Sequence, residues 1–417
     1  MRAGPNVGAG LLVGTLSIAY AASAGVYDRD PAHIWNRLHE ALFVREFHGR
    51  DLGRDELDPL LWTDSRYLLV EPRHQTVLSA LDEFSRSGAQ SIPDPLRRAV
   101  LQHDLWAIFD WTAEGSNEPA QRRALAARLA SAIRSLALPA DRIRSLAPNY
   151  ADAVSSNEFN EEYDRHHPRT PFLPPDLFEE EGSWVQLSAF GGELMAPAHA
   201  AGFSHRSAFL VFIRLPGGRA ATLNYLNQLR SFPDYWRLSS GPGDDAVPSV
   251  ELGPRVPQFP PGTAVALVRQ MILIDDQGTL VPSKLTEDVQ LRVYGGFGTD
   301  AASGPPLQDA FEFRMRRARL FASQGGGLQA VGPNEAELPV FSTHGVDMID
   351  RNEGSEGTIL TSILASCAQC HAPGGIRSVL SFGRRKVIPN ARDEAVATID
   401  GKRSSYSWGL LKGLWGN

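Results

Sequence analysis

The chain has only two cysteines in 417 residues, Cys367 and Cys370, and His371 follows the second at once in the run Ser366-Cys367-Ala368-Gln369-Cys370-His371-Ala372. With 2 cysteines and 11 histidines in the chain, chance yields that arrangement roughly once in ten thousand. Two thiols at this spacing can each form a thioether to one porphyrin edge, and the adjoining imidazole is placed to reach the iron as proximal ligand. The chemistry indicated is covalent attachment of one haem c. A dithiol redox pair or a disulfide is the alternative, although the flanks lack the strand and βαβ setting of a thioredoxin-like site. A disulfide across two residues closes too small a loop to stabilise much. Structural zinc needs two further ligands, and there is no second C-x-x-C.

At Cys367, Cys370 and His371 the chain resembles the c-type cytochromes, and the resemblance covers little beyond that motif. It implies thioethers at both cysteines, iron ligation by His371 and attachment outside the bacterial cytoplasm. The order of parts differs from the family's usual single-haem domain, where a methionine follows the motif by several dozen residues. Here 46 residues follow His371 and none is Met or His. The second axial ligand therefore comes from upstream, or the position is open. Met348 and His344 are the leading candidates by proximity, followed by Met195, His199, His205, His166 and His167. Met271 and Met315 lie in strand-like runs and read as core. Arg377 and Arg384, with Arg385 and Lys386, are candidates to pair with the haem propionates.

The rest of the chain must position this segment, which is too short to enclose a porphyrin alone. Its 41 basic and 48 acidic residues give a net charge of -7, with no basic cluster suited to nucleic acid, so no nucleic-acid partner is expected. Residues 1–24 read as a signal peptide: Arg2, an apolar run from Val7 to Tyr20, then Ala22-Ser23-Ala24 as cleavage site. Export to the periplasm follows from that reading, and membrane association only if the segment stays uncleaved.

An α+β fold is expected. Residues 25–150 form a helical domain, marked by stripes at Ile34, Leu38, Ala41, Leu42; Val77, Leu78, Leu81, Phe84; Leu96, Val100, Leu101, Leu105, Ile108; and Leu125, Leu129, Ile133, Leu136. His103 lies on the third helix, where core histidine is the ordinary reading and an approach to haem the sharper one. Residues 151–182 form a Pro-rich connecting arm. Residues 183–341 form an antiparallel β-rich domain with strands near 184–187, 208–215, 264–274, 289–294 and 311–321, one helix over Ala220 to Phe232, and one face covered. Residues 342–417 form the haem segment, packed against the other parts, and Tyr406 to Trp415 caps it or the core.

The expected function is an exported monohaem c-type cytochrome that transfers electrons to an unidentified redox partner. The alternatives are a haem enzyme or gas sensor with an open distal site, and a partner-binding protein with accessory haem.

Overall fold

The structure, a computed structural model, describes residues 25–47, 50–55, 66–115, 118–189, 191–239, 249–295, 308–337, 361–362, 364, 375–380, 387–389 and 393–416. The fold is α+β. Four helices open it: α1 (Ile34–Phe43), α2 (Arg73–Glu83), α3 (Pro95–Glu114) and α4 (Pro119–Leu136). The Asp94 carboxylate accepts the Leu96 N–H at 2.9 Å and Pro95 follows it, a pairing that starts α3 because proline gives up a donor the first turn leaves unused. The stripes of α1, α2 and α4 pack against one another and against Leu101, Leu105 and Ile108 of α3.

The central helix, α3, is covered on two sides. Leu101, Leu105, Trp106, Ile108 and Phe109 join the core of the helical unit, whereas Ala99 and Val100 belong to the core under the sheet. Between these layers its polar residues Gln102, His103, Asp104 and Asp110 are buried as well. After α5 (Ala140–Arg144) and α6 (Asn149–Ser155) the Pro-rich arm runs through turns, fixed by Phe172, Leu173 and Leu177 in the core under the sheet.

Seven strands form the main sheet: β1 (Val185–Ala189), β2 (Ser207–Arg214), β3 (Ala264–Ile274), β4 (Leu280–Tyr294), β5 (Gln308–Met315), β6 (Leu328–Ala330) and β7 (Val387–Pro389). Their order is β6-β5-β4-β3-β2-β1-β7, antiparallel throughout. The Asp275 carboxylate makes the β3–β4 hairpin by accepting the N–H groups of Gln277 and Thr279 at 3.0 and 2.7 Å, and Gly278 takes the left-handed φ of +69°. Helices α7 (Pro197–Gly202) and α8 (Gly218–Ser231) flank β2.

Three sequence expectations need correction. The strand expected to begin at Val289 begins at Leu280, because Pro282 is accommodated beside register shifts between Arg269 and Ile272. The run expected as strand to Phe321 leaves the sheet after Met315 and coils as α9 (Arg317–Phe321), since the partner strand β6 starts opposite Met315 and the chain must turn back. The sheet is also covered on both faces, with Arg269, Asp288, Arg292 and Glu312 buried on the face that alternation assigns to solvent.

The C-terminal residues form α11 (Glu394–Arg403) and α12 (Tyr406–Trp415), after α10 (Ile376–Leu380). Asp393 caps α11 and Ser405 caps α12, each accepting from an N–H of the first turn. Trp408, Leu411 and Trp415 sit in the core of the helical unit.

Candidate functional site

Cys367, Cys370, His371, Met348, His344 and Arg384 lie outside the described residues, as do Arg385, Lys386 and the segment 1–24. The chain that follows the motif is described. Three residues separate His371 from Gly375, and the four residue steps between them span at most about 14 Å.

Gly375 turns the chain with a φ of +74°, which favours a residue without Cβ, and α10 begins there. Ile376 and Leu380 are buried in an apolar cluster with Val185, Val211, Leu226 and Tyr294. The Tyr294 hydroxyl donates to Ser378 Oγ, which donates to Gly375 O at 2.8 Å, and the Ile376 N–H meets Gln258 Oε1 at 3.4 Å. Burial pushes the Tyr294 phenol up, so it stays a donor. Farther on, β7 pairs Val387 with Ala189 and Pro389 with Leu187 along the β1 edge. Helix α10 and strand β7 thus fasten the chain after the motif to one face and one edge of the sheet.

That face carries charge. Arg269 on β3 stands opposite Asp288 on β4, and Asp288 stands opposite Arg314 on β5. Arg314 Nε meets Glu312 Oε1 at 2.5 Å. Two residues before Tyr294 on the same face, Arg292 stands opposite Val265 and Ala310, neither of which can take its charge. Arg292 is 7% exposed, and its Nη1 has no hydrogen-bond partner among the described residues. Arg269, also 7% exposed, lies over the Phe203 ring at 4.3 Å, with its Nε 3.7 Å from Glu287 Oε2. His199 on α7 stacks on Phe209 with ring centroids 5.5 Å apart; burial, then Arg292 and Arg269, hold its pKa down to about 4. It is neutral at pH 7 and compensates neither guanidinium.

A second buried polar cluster joins α3 to the sheet and to α11. Asp110 Oδ2 accepts from Arg206 Nη1 at 2.7 Å and from Lys402 Nζ at 2.6 Å. Lys402 also meets Ser407 Oγ at 3.1 Å. Beside it, Ser207 Oγ donates to Glu287 Oε2 at 2.6 Å, and His103 Nδ1 is 3.6 Å from Glu287 Oε1. Serine, histidine and glutamate together invite a hydrolase reading, yet the hydroxyl gives its proton to the carboxylate and all three side chains are buried. Burial lowers the His103 pKa, keeping it neutral. The cluster fastens α3 to the sheet.

No family model, no curated protein and no solved structure matches this chain.

The other ligand candidates separate cleanly. His103 is a core histidine, and Met271 and Met315 are buried under the sheet. His166 and His167 are exposed, with His167 Nδ1 2.7 Å from Asp164. His205 packs against Gly401, and Met195 is partly buried beside the α10 cluster, its N–H donating to Glu394 Oε2 at 3.0 Å. Arg377 is exposed on α10. Arg292 was missed because its alternation with Leu291 and Val293 reads as an outward face; Tyr294, next on that face, was the available signal, being a large aromatic where solvent was expected.

A haem is an apolar plate bearing two carboxylates. The apolar wall on that face includes Val265 and Leu267 and, from α10, Ile376 and Leu380, and the face carries an orphaned buried guanidinium nitrogen. These residues fit such a group. Among the described residues no cluster of His, Cys, Asp and Glu suits a separate metal ion, and no helix is long and apolar enough to cross a membrane.

Proposed function

We propose that this chain is an exported monohaem c-type cytochrome that relays electrons to a redox partner. The observation that carries the reading is the single C-x-x-C-H run, Cys367 to His371, made from the chain's only cysteines. Each thiol would add across a porphyrin vinyl group: a C–S bond forms at one carbon, the thiol hydrogen passes to the neighbouring carbon, and no oxidant is consumed. Bound haem supplies a one-electron iron couple. His371 would hold the iron from the proximal side through neutral imidazole. Tyr294 and Ser378 support this role by anchoring the chain that follows the motif to the sheet. The apolar wall of Val265, Leu267 and Ile376 would exclude water, which raises the cost of charge on the iron and tunes its potential.

The second reading, a haem enzyme or gas sensor with an open distal position, is favoured by the burial of His103, Met271 and Met315 in cores, which removes them as sixth ligands. Met348 and His344, then Met195, His199, His205, His166 and His167, are the residues on which six-coordination rests.

Co-expression with c-type maturation machinery tests both. Covalent haem stain is expected in wild type and absent from Cys367→Ser/Cys370→Ser; stain that persists in the variant contradicts the assignment. A low-spin spectrum indifferent to carbon monoxide supports electron relay, and a high-spin ferrous form that binds it supports the second reading.

A further inference from the structure

We propose that Arg292 is the receiving group of a buried carboxylate site on the face of the sheet that receives α10, and that the carboxylate is a haem propionate. The second clause rests on the haem reading; the first does not. Arginine stays protonated at any pH the fold survives. Removing an unpaired charge from water costs several kcal/mol even after relaxation, so a sheet that encloses one is built around a counter-charge. Arg292 is in that position. It is nine-tenths buried, directly opposite Val265 and Ala310, and its Nη1 is without a partner among the described residues.

Its neighbours sharpen the site's chemistry. On β5, two residues from Ala310 on the same face, Glu312 is already engaged by Arg314. Asp288, four residues back along β4, faces Arg269 and Arg314 instead. The second guanidinium, Arg269, sits about 13 Å farther along the same face, four strand residues from the partner of Arg292. His199 lies within the field of both and is kept neutral there. The face therefore combines an excess of fixed positive charge with aromatic walls from Phe203, Phe209 and Tyr294. A planar fork suits a carboxylate bidentately, and the apolar surround suits one borne on a large flat apolar body. Tyr294 places α10, seven residues after His371 at Ser378, on the same side of the same strand.

The test uses a change of sign. In cofactor-free protein (Cys367→Ser/Cys370→Ser), replacing Arg292 by Met removes an uncompensated buried charge, so the urea midpoint rises. In haem-loaded protein the same replacement orphans the propionate, so the midpoint falls and the haem potential shifts downward with the loss of a nearby positive charge. Arg292→Lys restores the potential in part. A second arm titrates acetate into the cofactor-free protein: if the carboxylate is instead a free small acid, acetate raises the midpoint by an amount Arg292→Met abolishes, and Arg292→Met leaves the haem-loaded potential unchanged. That outcome upholds the site and overturns propionate as its ligand. If wild type carries no haem, the haem reading has failed and the acetate arm alone decides the site. Arg292→Met that destabilises both forms alike, with no acetate effect, overturns the proposal.

Discussion

His39 and His199 are each held neutral by burial, with pKa values pushed down to about 4 from an ordinary 6.5. His39 keeps its place through Nε2, 2.8 Å from Arg54 O. Between pH 6.5 and about 4 the unfolded chain binds protons at these positions that the folded chain refuses, so stability falls as pH drops through that window. At 1.36 kcal/mol per pKa unit, each histidine removes about 2 kcal/mol between pH 7 and pH 5. Urea midpoints measured at pH 7, 6 and 5 should decline, and His39→Gln, which preserves a donor to Arg54 O, should flatten the slope. An unchanged slope would contradict the buried neutral state. At this scale the sequence was uneven. Cys367, Cys370 and His371 announce their chemistry by adjacency alone. His103 did not, because its partners Arg206, Ser207 and Glu287 come from 103 or more residues away and no local pattern encodes them.

The elements were more legible than the site. Leu125, Leu129, Ile133 and Leu136 repeat at helical steps and are buried as α4, and Val289, Leu291 and Val293 alternate and are buried as the inner face of β4. Alternation gives period but not surroundings: Gln290 and Arg292 look the same whether the second face meets water or protein, and here it meets protein. The return from α9 to β6 was legible only as punctuation. Gly326 there has a φ of +56°, and a Cβ on it would lie 1.8 Å from the Asn149 carbonyl oxygen. Asn149 in turn ties this turn to β4, donating to Thr286 O and Gly326 O at 2.9 and 2.8 Å. Gly326→Ala should therefore destabilise by roughly 2 kcal/mol or more. Gly409, in α12 with nothing near its missing Cβ, is the control, and Gly409→Ala should stabilise by about 0.5–1 kcal/mol. Thermal melts of the pair read both signs.

The whole molecule is held together by links between parts far apart in sequence. Trp408, Leu411 and Trp415 of α12 sit in the same core as α1 to α4, and Ile272, Ile274 and Leu280 of the sheet reach into it. At the centre, Asp110 binds Arg206 of the sheet and Lys402 of α11, with Asp110 and Lys402 both 0% exposed. Burial lowers the Lys402 pKa, with Asp110 opposing that shift. Asp110→Ala leaves two buried cations without their anion and should cost about 3–5 kcal/mol, whereas Lys402→Met leaves Asp110 paired with Arg206 and should cost less. Denaturant titration of both variants checks the order; a larger loss for Lys402→Met would contradict it. This knot sets the far end of the chain that leaves the C-x-x-C-H run, as α10 and β7 set its near end. The central claim is that Cys367 and Cys370 carry haem. Its most direct test is the intact mass of the denatured protein, purified after co-expression with c-type maturation machinery. The mass of the chain plus one haem is the predicted result; the mass of the chain less two hydrogens, as a Cys367–Cys370 disulfide gives, would contradict it.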